Sequence, residues 1–429
     1  MNNILNKNNS LSIWLKYLEK LDKKIILDLN ELKSIAKKLD LLTFRAFIFT
    51  VAGTNGKGTT CAMLEKLLLN SGYQVGLYTS PHLISYLERV RINGSVLTSE
   101  EHINSFQEIE IARNSTLLSY FEFITLSALL LFKRYSLDVI ILEVGLGGRL
   151  DATNIIDSNL SIITNIEIDH SVLLGHTRSS IAREKSGIFR KNKISVIGEI
   201  NIPSTIDQEA QVKKTILKKN NRDWFLEKYD HYWNFIHEDI KLYGLPNTQI
   251  PISNTALALA ALYYSDFKIS EKVIRTTIPF VRLPGRFQII SVCPHIIIDV
   301  AHNLHSALYL FNKIDSMNIK GKIYAIVGML EDKDINGIVN PFKRKIHYWY
   351  AAPLKTSRTA TIKQLKKSLP SHNTKILSSI HETYKKVLLL VKKQDAILVF
   401  GSFFTVSEFI KAKKLEDNIN IFKNAISEK

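Results

Sequence analysis

Short apolar runs alternate along the chain with longer segments in which apolar residues recur every three or four positions. The short runs predict buried strands, and they end in turn residues at FIFTVAG, VGLYTSP, LDVIILEVG and LSIITNI. The longer segments, such as FEFITLSALLLFKRY, predict helices between the strands. This alternation predicts a mostly parallel sheet with helices on both faces, in which ligands bind at the carboxyl ends of the strands.

A second unit with the same alternation is predicted from residue 285 onward. Its apolar runs lie in HIIIDV, KIYAIVG, IHYWYAAP and DAILVFGSF. The segment LPGR at 283–286 is the predicted boundary, because proline and glycine interrupt regular structure. We therefore predict a central domain over residues 1–284 and a smaller, Rossmann-like α/β domain over residues 285–429. The stretch from about 199 to 250 is aromatic, and we predict an irregular region there that closes the first domain.

The first predicted strand leads directly into a glycine-rich turn, AGTNGKGTT at residues 52–60, and the helix CAMLEKLLLN follows. Backbone N–H groups in such a turn can bind phosphate oxygens, and Lys57 adds a positive charge. Thr59 or Thr60 could bind phosphate or Mg²⁺. The usual phosphate-loop pattern places Ser or Thr directly after the lysine, where Gly58 stands, so an ordinary turn is the alternative. We predict that the first domain is a P-loop domain that binds a nucleoside triphosphate.

Polar residues follow several of the predicted strands. Glu143 ends a very apolar one and could hold Mg²⁺, which takes few protein oxygens beside phosphates and waters; its alternative role is a helix cap. His170, preceded by Asp169, is predicted at the end of the next strand, where it could meet Glu143. Ser80 in YTSPHL could offer a hydroxyl to a metal or a phosphate, or belong to a simple turn. Asp299 closes the strand HIIIDV in the second unit.

Two further residues have only structural interpretations from their local sequence. Lys185 in AREKSGIF is typical of a solvated lysine on a helix. Asn254 opens the segment NTALALAALYY and is predicted to be its N-cap.

Composition changes the picture little. The net charge of +17 comes from 57 Lys and Arg against 40 Asp and Glu. It is compatible with compositional drift of the surface, attraction of anionic small substrates or binding of nucleic acid. The lysines are spread along the chain and form no stripe with aromatic residues, which favours drift. No apolar stretch approaches the roughly 20 residues of a membrane span, and the N-terminal segment lacks the pattern of a secretion signal. Two cysteines among 429 residues fit a reducing cytoplasm.

In their order along the chain, these motifs resemble the folate-specific members of the Mur-ligase superfamily. The resemblance runs from WLKYLEKL at 14–21 to LVFGSFFTVSEF at 398–409. It is carried by GTNGKGTT, YTSPHL, SYFEFITLSAL, ILEVGLGGRLDATN, REKSGIF, LPGRFQ and DVAHN. The family's own phosphate loop carries the additional glycine that stands here as Gly58. The resemblance implies an ATP-dependent amide ligase that adds L-glutamate to dihydropteroate and to reduced folates through an acyl phosphate. It also implies ATP as co-substrate and two Mg²⁺ sites.

The resemblance further implies roles for particular residues. Lys57, Glu143, His170 and Lys185 would be catalytic, and the last of these would be carbamylated and so become a metal-binding carboxylate. The implied metal ligands are Ser80, Glu143, His170 and Lys185. The implied nucleotide contacts are Thr54, Asn55, Gly56, Lys57, Gly58, Thr59, Asn254, Arg286, Asp299 and His302. The implied contacts to the pterin-containing substrate are Ser119, Tyr120, Phe121, Glu122, Leu150, Asp151 and Ala152.

Two departures from the family pattern are visible. Leu304 stands where the family commonly has proline after DVAHN, and the segment NIEIDHSVLLG differs around His170. Neither change removes a predicted binding group. A Mur-type ligase of peptidoglycan precursors and a basic P-loop ATPase acting on nucleic acid are the alternatives. The favoured prediction is a cytoplasmic monomer that acts on small molecules and contacts neither nucleic acid nor membrane.

Overall fold

The computed structural model describes residues 9–21 and 28–427. The chain forms two compact units, Met1–Arg282 and Leu283–Lys429. The first eight residues, on which the prediction of no secretion signal partly rests, lie outside the described residues. Within the described ranges, no helix is both long and apolar enough to cross a membrane.

An eight-stranded sheet forms the centre of the first unit in the described part of the chain. Its spatial order is β4-β3-β2-β5-β1-β6-β7-β8; the pairs β2–β3 and β3–β4 are antiparallel, and the other neighbouring pairs are parallel. The strands are β1 (Phe47–Ala52), β2 (Val75–Tyr78), β3 (Val90–Ile92), β4 (Ser95–Val96), β5 (Val139–Glu143), β6 (Leu160–Ile163), β7 (Ile194–Ile197) and β8 (Ile216–Lys219). The parallel register pairs Val51 with Glu143 and Tyr78 with Leu142, so the carboxyl ends of β1, β2 and β5 lie side by side.

Helices connect these strands as the alternating pattern predicts. They are α1 (Leu11–Glu19), α2 (Asn30–Lys38), α3 (Lys57–Asn70), α4 (Ser99–Arg113), α5 (Tyr120–Lys133), α6 (Ser171–Leu174), α7 (Arg178–Lys185), α8 (Thr205–Lys213), α9 (Ile252–Tyr263) and α10 (Glu271–Thr277). Helix α5 is apolar on nearly all sides and is buried from Glu122 to Phe132. Its Phe123 shares one hydrophobic cluster with Phe106 of α4 and with Ile140 and Leu142 of β5. Burial of each such side chain stabilises the fold by about 1.5–3 kcal/mol.

The stretch from 199 to 250 is more regular than its sequence predicts. It contains α8 and β8, followed by a three-stranded antiparallel sheet in the order β11-β10-β9. These strands are β9 (Trp224–Lys228), β10 (Tyr232–His237) and β11 (Ile240–Pro246). The prediction of an irregular region is therefore wrong. Trp224, Trp233 and Phe235 of this sheet are buried, so its aromatic residues supply a core.

The second unit contains a six-stranded sheet in the order β12-β13-β17-β14-β15-β16, again counting described residues only. All neighbours are parallel except β12 and β13. The strands are β12 (Gln288–Val292), β13 (His295–Ile298), β14 (Ile323–Val327), β15 (Tyr348–Ala351), β16 (Thr374–Ile376) and β17 (Ala396–Phe400). The helices are α11 (Leu304–Ser316), α12 (Ile335–Val339), α13 (Ile362–Ser368), α14 (Ile380–Leu388) and α15 (Phe403–Ser427).

Candidate active site

The phosphate loop connects β1 to α3 through a left-handed turn at Gly56, whose φ is +85°. A Cβ there would lie 2.7 Å from the side-chain amide of Asn254, so the position requires glycine for both its backbone and its contacts. Lys57 Nζ donates to the carbonyls of Gly53 at 3.0 Å and Thr54 at 3.3 Å. The first intrahelical bond is donated by Thr60 N to Gly56 O, so the N–H groups of residues 57–59 face the space beyond the helix start.

The segment after β6 fastens the first half of this loop. Thr54 N donates to Asn165 O at 3.0 Å, and Asn55 N donates to Asn165 Oδ1 at 2.8 Å. Thr164 Oγ1 in turn donates to Asn55 O at 2.6 Å. Thr54 and Asn55 therefore already donate their N–H groups to Asn165, and residues 57–59 are the part of the turn whose N–H groups remain directed beyond the helix start.

Asn254 also differs from its predicted role as an N-cap. Helix α9 begins at Ile252 with Pro251 as its cap, so Asn254 lies within the first turn. Its Nδ2 donates to Thr59 Oγ1 at 2.7 Å, while Thr59 Oγ1 donates to Gly56 O at 2.9 Å. Asn254 therefore holds the phosphate loop across a long sequence separation. Thr60 Oγ1 is buried beneath the loop and has no hydrogen-bond partner among the described residues.

Glu143 ends β5 as predicted, and it is buried. Its Oε2 accepts from Ser80 N at 3.0 Å, which brings two of the predicted metal ligands together. The structure contains no group of three His, Cys, Asp or Glu side chains that could by itself hold a metal, within the described ranges. One buried carboxylate beside a serine nevertheless fits Mg²⁺, which takes its other ligands from phosphates and water.

His170 is not at the end of a strand. Strand β6 ends at Ile163, and His170 instead precedes α6 in a left-handed conformation with φ of +50°. The residues between β6 and His170 run alongside the phosphate loop. Asn165 accepts from Asn55 N, and Glu167 N donates to Thr54 Oγ1 at 2.9 Å. Asp169 Oδ1 accepts from His170 N at 2.8 Å. His170 therefore lies on a loop, for which the apolar pattern carries no signal.

Lys185 is the last residue of α7, and only 3% of it is exposed, so the interpretation as a solvated lysine is wrong. Burial and the positive charge of Lys57 lower the pKa of Lys185 to about 7, and Asp169 and Asp151 oppose this shift. The backbone of Gly148 also packs closely on the end of α7, since a Cβ there would lie 2.8 Å from the carbonyl oxygen of Lys185. Lys57, Asp151 and Asp169 therefore all lie close enough to Lys185 to influence its charge.

The two segments predicted to contact the pterin-containing substrate are well ordered by their own hydrogen bonds. Ser119 N donates to Glu122 Oε2 at 2.7 Å, and Glu122 N donates to Ser119 Oγ, so the pair forms a capping box for α5. Phe121 stacks on Tyr78 with a centroid distance of 6.1 Å.

In the other segment, Leu150 is half-buried, whereas Asp151 and Ala152 are buried. Asp151 Oδ2 accepts from Leu146 N, and its Oδ1 accepts from the backbone and hydroxyl of Thr153. Burial raises the pKa of Asp151, and these donors oppose the shift. Asp151 therefore fixes the glycine-rich loop after β5.

The second unit carries the remaining predicted nucleotide residues. Asp299 follows β13; its Oδ2 accepts from Phe287 N and its Oδ1 from Ala301 N, both at 2.7 Å. Burial raises the pKa of Asp299, and the nearby Arg286 is the largest opposing influence. The Arg286 guanidinium lies 4.8 Å from the ring centroid of Phe403. His302 Nδ1 lies 2.9 Å from Val300 O, which orients its ring.

The comparisons with known proteins agree with this arrangement. The model of the Mur ligase middle domain matches residues 51–262, and that of the Mur ligase glutamate ligase domain matches residues 285–403. The dihydrofolate synthase/folylpolyglutamate synthase of Buchnera aphidicola subsp. Acyrthosiphon pisum is 68% identical over 410 residues, covering 96% of this chain and 100% of the relative. The chain belongs to the Mur ligase family. The Escherichia coli K12 dihydrofolate synthase/folylpolyglutamate synthase is 47% identical over 402 residues, covering 94% and 95% of the two chains.

Solved structures of this Mur ligase branch have the same fold. E. coli FolC in complex with DHPP and ADP matches with a TM-score of 0.93 and 45% identity, covering 96% of this chain and 100% of that one. A bifunctional folylpolyglutamate synthase/dihydrofolate synthase with Mn, AMPPNP and L-glutamate bound matches with a TM-score of 0.91 and 45% identity, covering 96% and 99%. The predicted α/β fold is confirmed, as is the prediction of an ATP-dependent glutamate ligase of folate metabolism.

Proposed function

We propose that this chain joins the amino group of L-glutamate to the carboxylate of dihydropteroate or of a reduced folate, with ATP supplying the activation. One observation carries the proposal. The E. coli FolC that binds DHPP and ADP matches 96% of this chain at 45% identity. The related structure has Mn, AMPPNP and L-glutamate bound. It thus adds a divalent metal and the amine substrate to the acceptor and nucleotide of the first.

The reaction has two steps. A carboxylate oxygen of the acceptor attacks the γ-phosphorus of ATP, the bond to the β–γ bridging oxygen breaks, and ADP leaves. The glutamate amine then attacks the acyl phosphate carbon, and the resulting tetrahedral intermediate loses phosphate and a proton to give the amide. Phosphoryl transfer of this kind depends mainly on positioning and on neutralising charge. Lys57, whose ammonium donates to two loop carbonyls, would exchange those acceptors for phosphate oxygens.

We assign nucleotide contacts to residues in each unit separately. In the first unit we assign this role to residues 54–59 and Asn254, because the hydrogen bond from Asn254 to Thr59 fixes the loop. In the second unit we assign it to Arg286, Asp299 and His302. Backbone donors from Phe287 and Ala301 fix the buried carboxylate of Asp299, and the positive charge of Arg286 lies near enough to oppose the rise in its pKa.

Two Mg²⁺ sites fit the donors that are present. Ser80 and Glu143, joined by a hydrogen bond of 3.0 Å, would hold the first ion. His170 and Lys185 would hold the second, with Asp169 orienting the backbone of His170. Magnesium bound at these positions would offset the negative charge of the phosphates.

Lys185 would serve the second ion as a carbamate. At a pKa of about 7, much of its amine is neutral at physiological pH. A neutral amine attacks carbon dioxide, an N–C bond forms, and one proton is released. The product is a carboxylate, so a buried position that disfavours an ammonium would gain a metal ligand.

The acceptor would lie against the starts of two elements. We assign its binding to Ser119, Tyr120, Phe121 and Glu122 at the start of α5, and to Leu150, Asp151 and Ala152 after β5. The capping box and the bonds of Asp151 hold both segments in fixed positions. The ring of Phe121, which is partly exposed and packs on the buried Tyr78, suits contact with a planar pterin or benzoyl group.

The assignment extends to the whole chain. We propose that residues 1–284 form the ATP-binding domain and residues 285–429 the smaller glutamate ligase domain. The protein would act as a monomer in the cytoplasm on small molecules alone.

Incubation with MgATP and labelled glutamate tests the function directly. Dihydropteroate and a reduced folate would be offered separately, and labelled product would be scored for each. We expect ATP-dependent incorporation with both acceptors. Incorporation with neither acceptor would overturn the proposal.

A further inference from the structure

Arg89 lies at the same edge of the sheet as the candidate metal ligands but has no role so far. It is the last residue of a short 3₁₀ turn, Tyr86–Arg89, and directly precedes β3. The Arg89 carbonyl accepts from Thr79 N at 2.9 Å, so Arg89 lies opposite Thr79, the residue that precedes Ser80. Its side chain points toward a predicted substrate segment, since its guanidinium lies 5.8 Å from the ring centroid of Tyr120.

The guanidinium of Arg89 is buried without a carboxylate partner among the described residues. Arg89 is 7% exposed, and its Nε donates to His82 Nδ1 at 2.9 Å. Its surroundings are otherwise aromatic, with Tyr78, Tyr86 and Tyr120 all close enough for its charge to oppose the rise in their pKa. Neither Nη nitrogen is a fully enclosed donor, so both remain in contact with solvent.

A second arginine shows how this chain satisfies the same group when its role is structural. Arg113 is 6% exposed, almost the same as Arg89. Its Nε and Nη2 both donate to the carboxylate of Glu110, Nη2 also donates to Tyr17 Oη, and Nη1 donates to Thr116 O. Among the described residues, the Arg89 side chain has a single acceptor, Nδ1 of His82, in place of all these groups. Because the Nη side of the Arg89 guanidinium reaches solvent and lacks a protein acceptor among the described residues, it is open to a ligand that brings a carboxylate.

The neighbouring Glu88 is not that acceptor. Its Oε1 accepts from the backbone N–H groups of Ile84 and Ser85, and its Oε2 accepts from that of Leu83, at 2.7–2.8 Å. Both of its oxygens are thus committed to the loop that carries His82. The carboxylate nearest to Arg89 in sequence, that of Glu88, is therefore bonded to backbone N–H groups and does not pair with the Arg89 guanidinium.

We propose that Arg89 binds the α-carboxylate of a glutamate already attached to the folate substrate. The inference rests on the proposed function. A guanidinium binds a carboxylate through two parallel hydrogen bonds, which suits the pair of open Nη donors. The reacting carboxylate must lie at the phosphate loop, so the ligand of Arg89 is a different one. Dihydropteroate has only its reacting carboxylate, whereas a folate carries a second on the same glutamate. Arg89 is therefore a specificity residue for the extension of folates.

The test compares both acceptors with wild-type protein, Arg89→Met and Arg89→Lys under saturating MgATP and glutamate. We expect Arg89→Met to raise KM for a monoglutamyl reduced folate by about 10- to 100-fold, while KM for dihydropteroate changes less than about threefold. Arg89→Lys should fall between, because it keeps the charge but loses the paired donors. Equal losses with both acceptors, or no change with either, would overturn the proposal.

A chemical change in the ligand separates binding from folding. A reduced folate whose glutamyl α-carboxylate is converted to a carboxamide should bind wild-type protein about as weakly as the normal folate binds Arg89→Met. Arg89→Met should not distinguish the two ligands. Calorimetric binding without ATP or glutamate measures this even if turnover fails, so it is independent of the proposed reaction. Equal binding of acid and amide to the wild type would refute the assignment.

Discussion

The phosphate loop and the end of α7 each carry one lysine, and the two lysines have opposite surroundings. Lys57 is partly exposed and donates to the carbonyls of Gly53 and Thr54. Lys185 is buried, and within the described residues its amine has no hydrogen-bond acceptor. The pKa of Lys185 falls to about 7, partly because Lys57 lies near it. The same residue type thus donates to loop carbonyls at one position, whereas at the other position burial favours the neutral amine.

The largest expected effect is on Lys57. Replacing it with alanine should lower ATP-dependent glutamate incorporation on the order of 10³-fold, because a preorganised charge on the transferring phosphate is lost. The melting temperature should change little, since the hydrogen bonds of the ammonium to described residues go to carbonyls of its own loop. Lys66→Ala, at an exposed position on the same helix, is the matched control and should keep full activity. Activity of Lys57→Ala near that of the control would show that the loop does not bind the phosphates.

Replacing Lys185 should have a large effect of a different kind. Lys185→Ala should lose about 10²-fold or more of turnover, and a small added carboxylate such as formate should restore part of it by supplying the missing metal ligand. Lys185→Arg should stay inactive, because a guanidinium does not form a carbamate. Lys213→Ala is a suitable control, as Lys213 donates to the adjacent Ser186 O from a half-buried position. Full activity of Lys185→Arg would mean that a positive charge is sufficient there.

The two lysines should also differ in their effect on stability with pH. The folded pKa of Lys185 is about 7 against an ordinary 10.5, so the unfolded chain holds this proton more tightly. The free energy of unfolding of the wild type, relative to that of Lys185→Met, should therefore rise as pH increases from about 7 to 10.5. Below about pH 7 the lysine is charged in both states, so the wild type should carry the full cost of burying the ammonium. Urea denaturation of both proteins in bicarbonate-free buffer measures the difference. A difference that stays constant across this window would mean that the lysine is not buried as an amine.

The predictions from sequence succeeded where a residue's place follows from its immediate neighbours. Glu143 lies at the end of β5 because an uninterrupted apolar run leads up to it. The phosphate loop lies between β1 and α3 because its glycines follow one apolar run and precede a helix. In both cases the local pattern and the tertiary position agree.

The failures concern residues whose environment is set by distant parts of the chain. Lys185 has an ordinary helical context, yet it is buried and lies near Lys57 and Asp151, which are distant in sequence. His170 lies beyond the end of β6 because residues from Asn165 onward bond to the phosphate loop and not to a strand. Asn254 acts across the fold on Thr59. A single sequence does not show which distant residues these side chains contact.

The smallest effect is expected for a glycine substitution in the phosphate loop beside Lys57. It tests whether the contact with Asn254 fixes this loop. Gly56→Ala and Gly72→Ala both place a side chain at positive φ, +85° and +91°. At Gly72 the new Cβ meets open space, so we expect a loss of about 1 kcal/mol from backbone strain alone. At Gly56 the Cβ would lie 2.7 Å from the amide of Asn254, and we expect a further loss of about 1–2 kcal/mol or displacement of that amide from Thr59. Denaturation gives the stabilities, and KM for ATP reports the displacement. Equal losses of stability in the two variants, with KM for ATP unchanged, would mean that the contact with Asn254 does not fix the geometry of the phosphate loop.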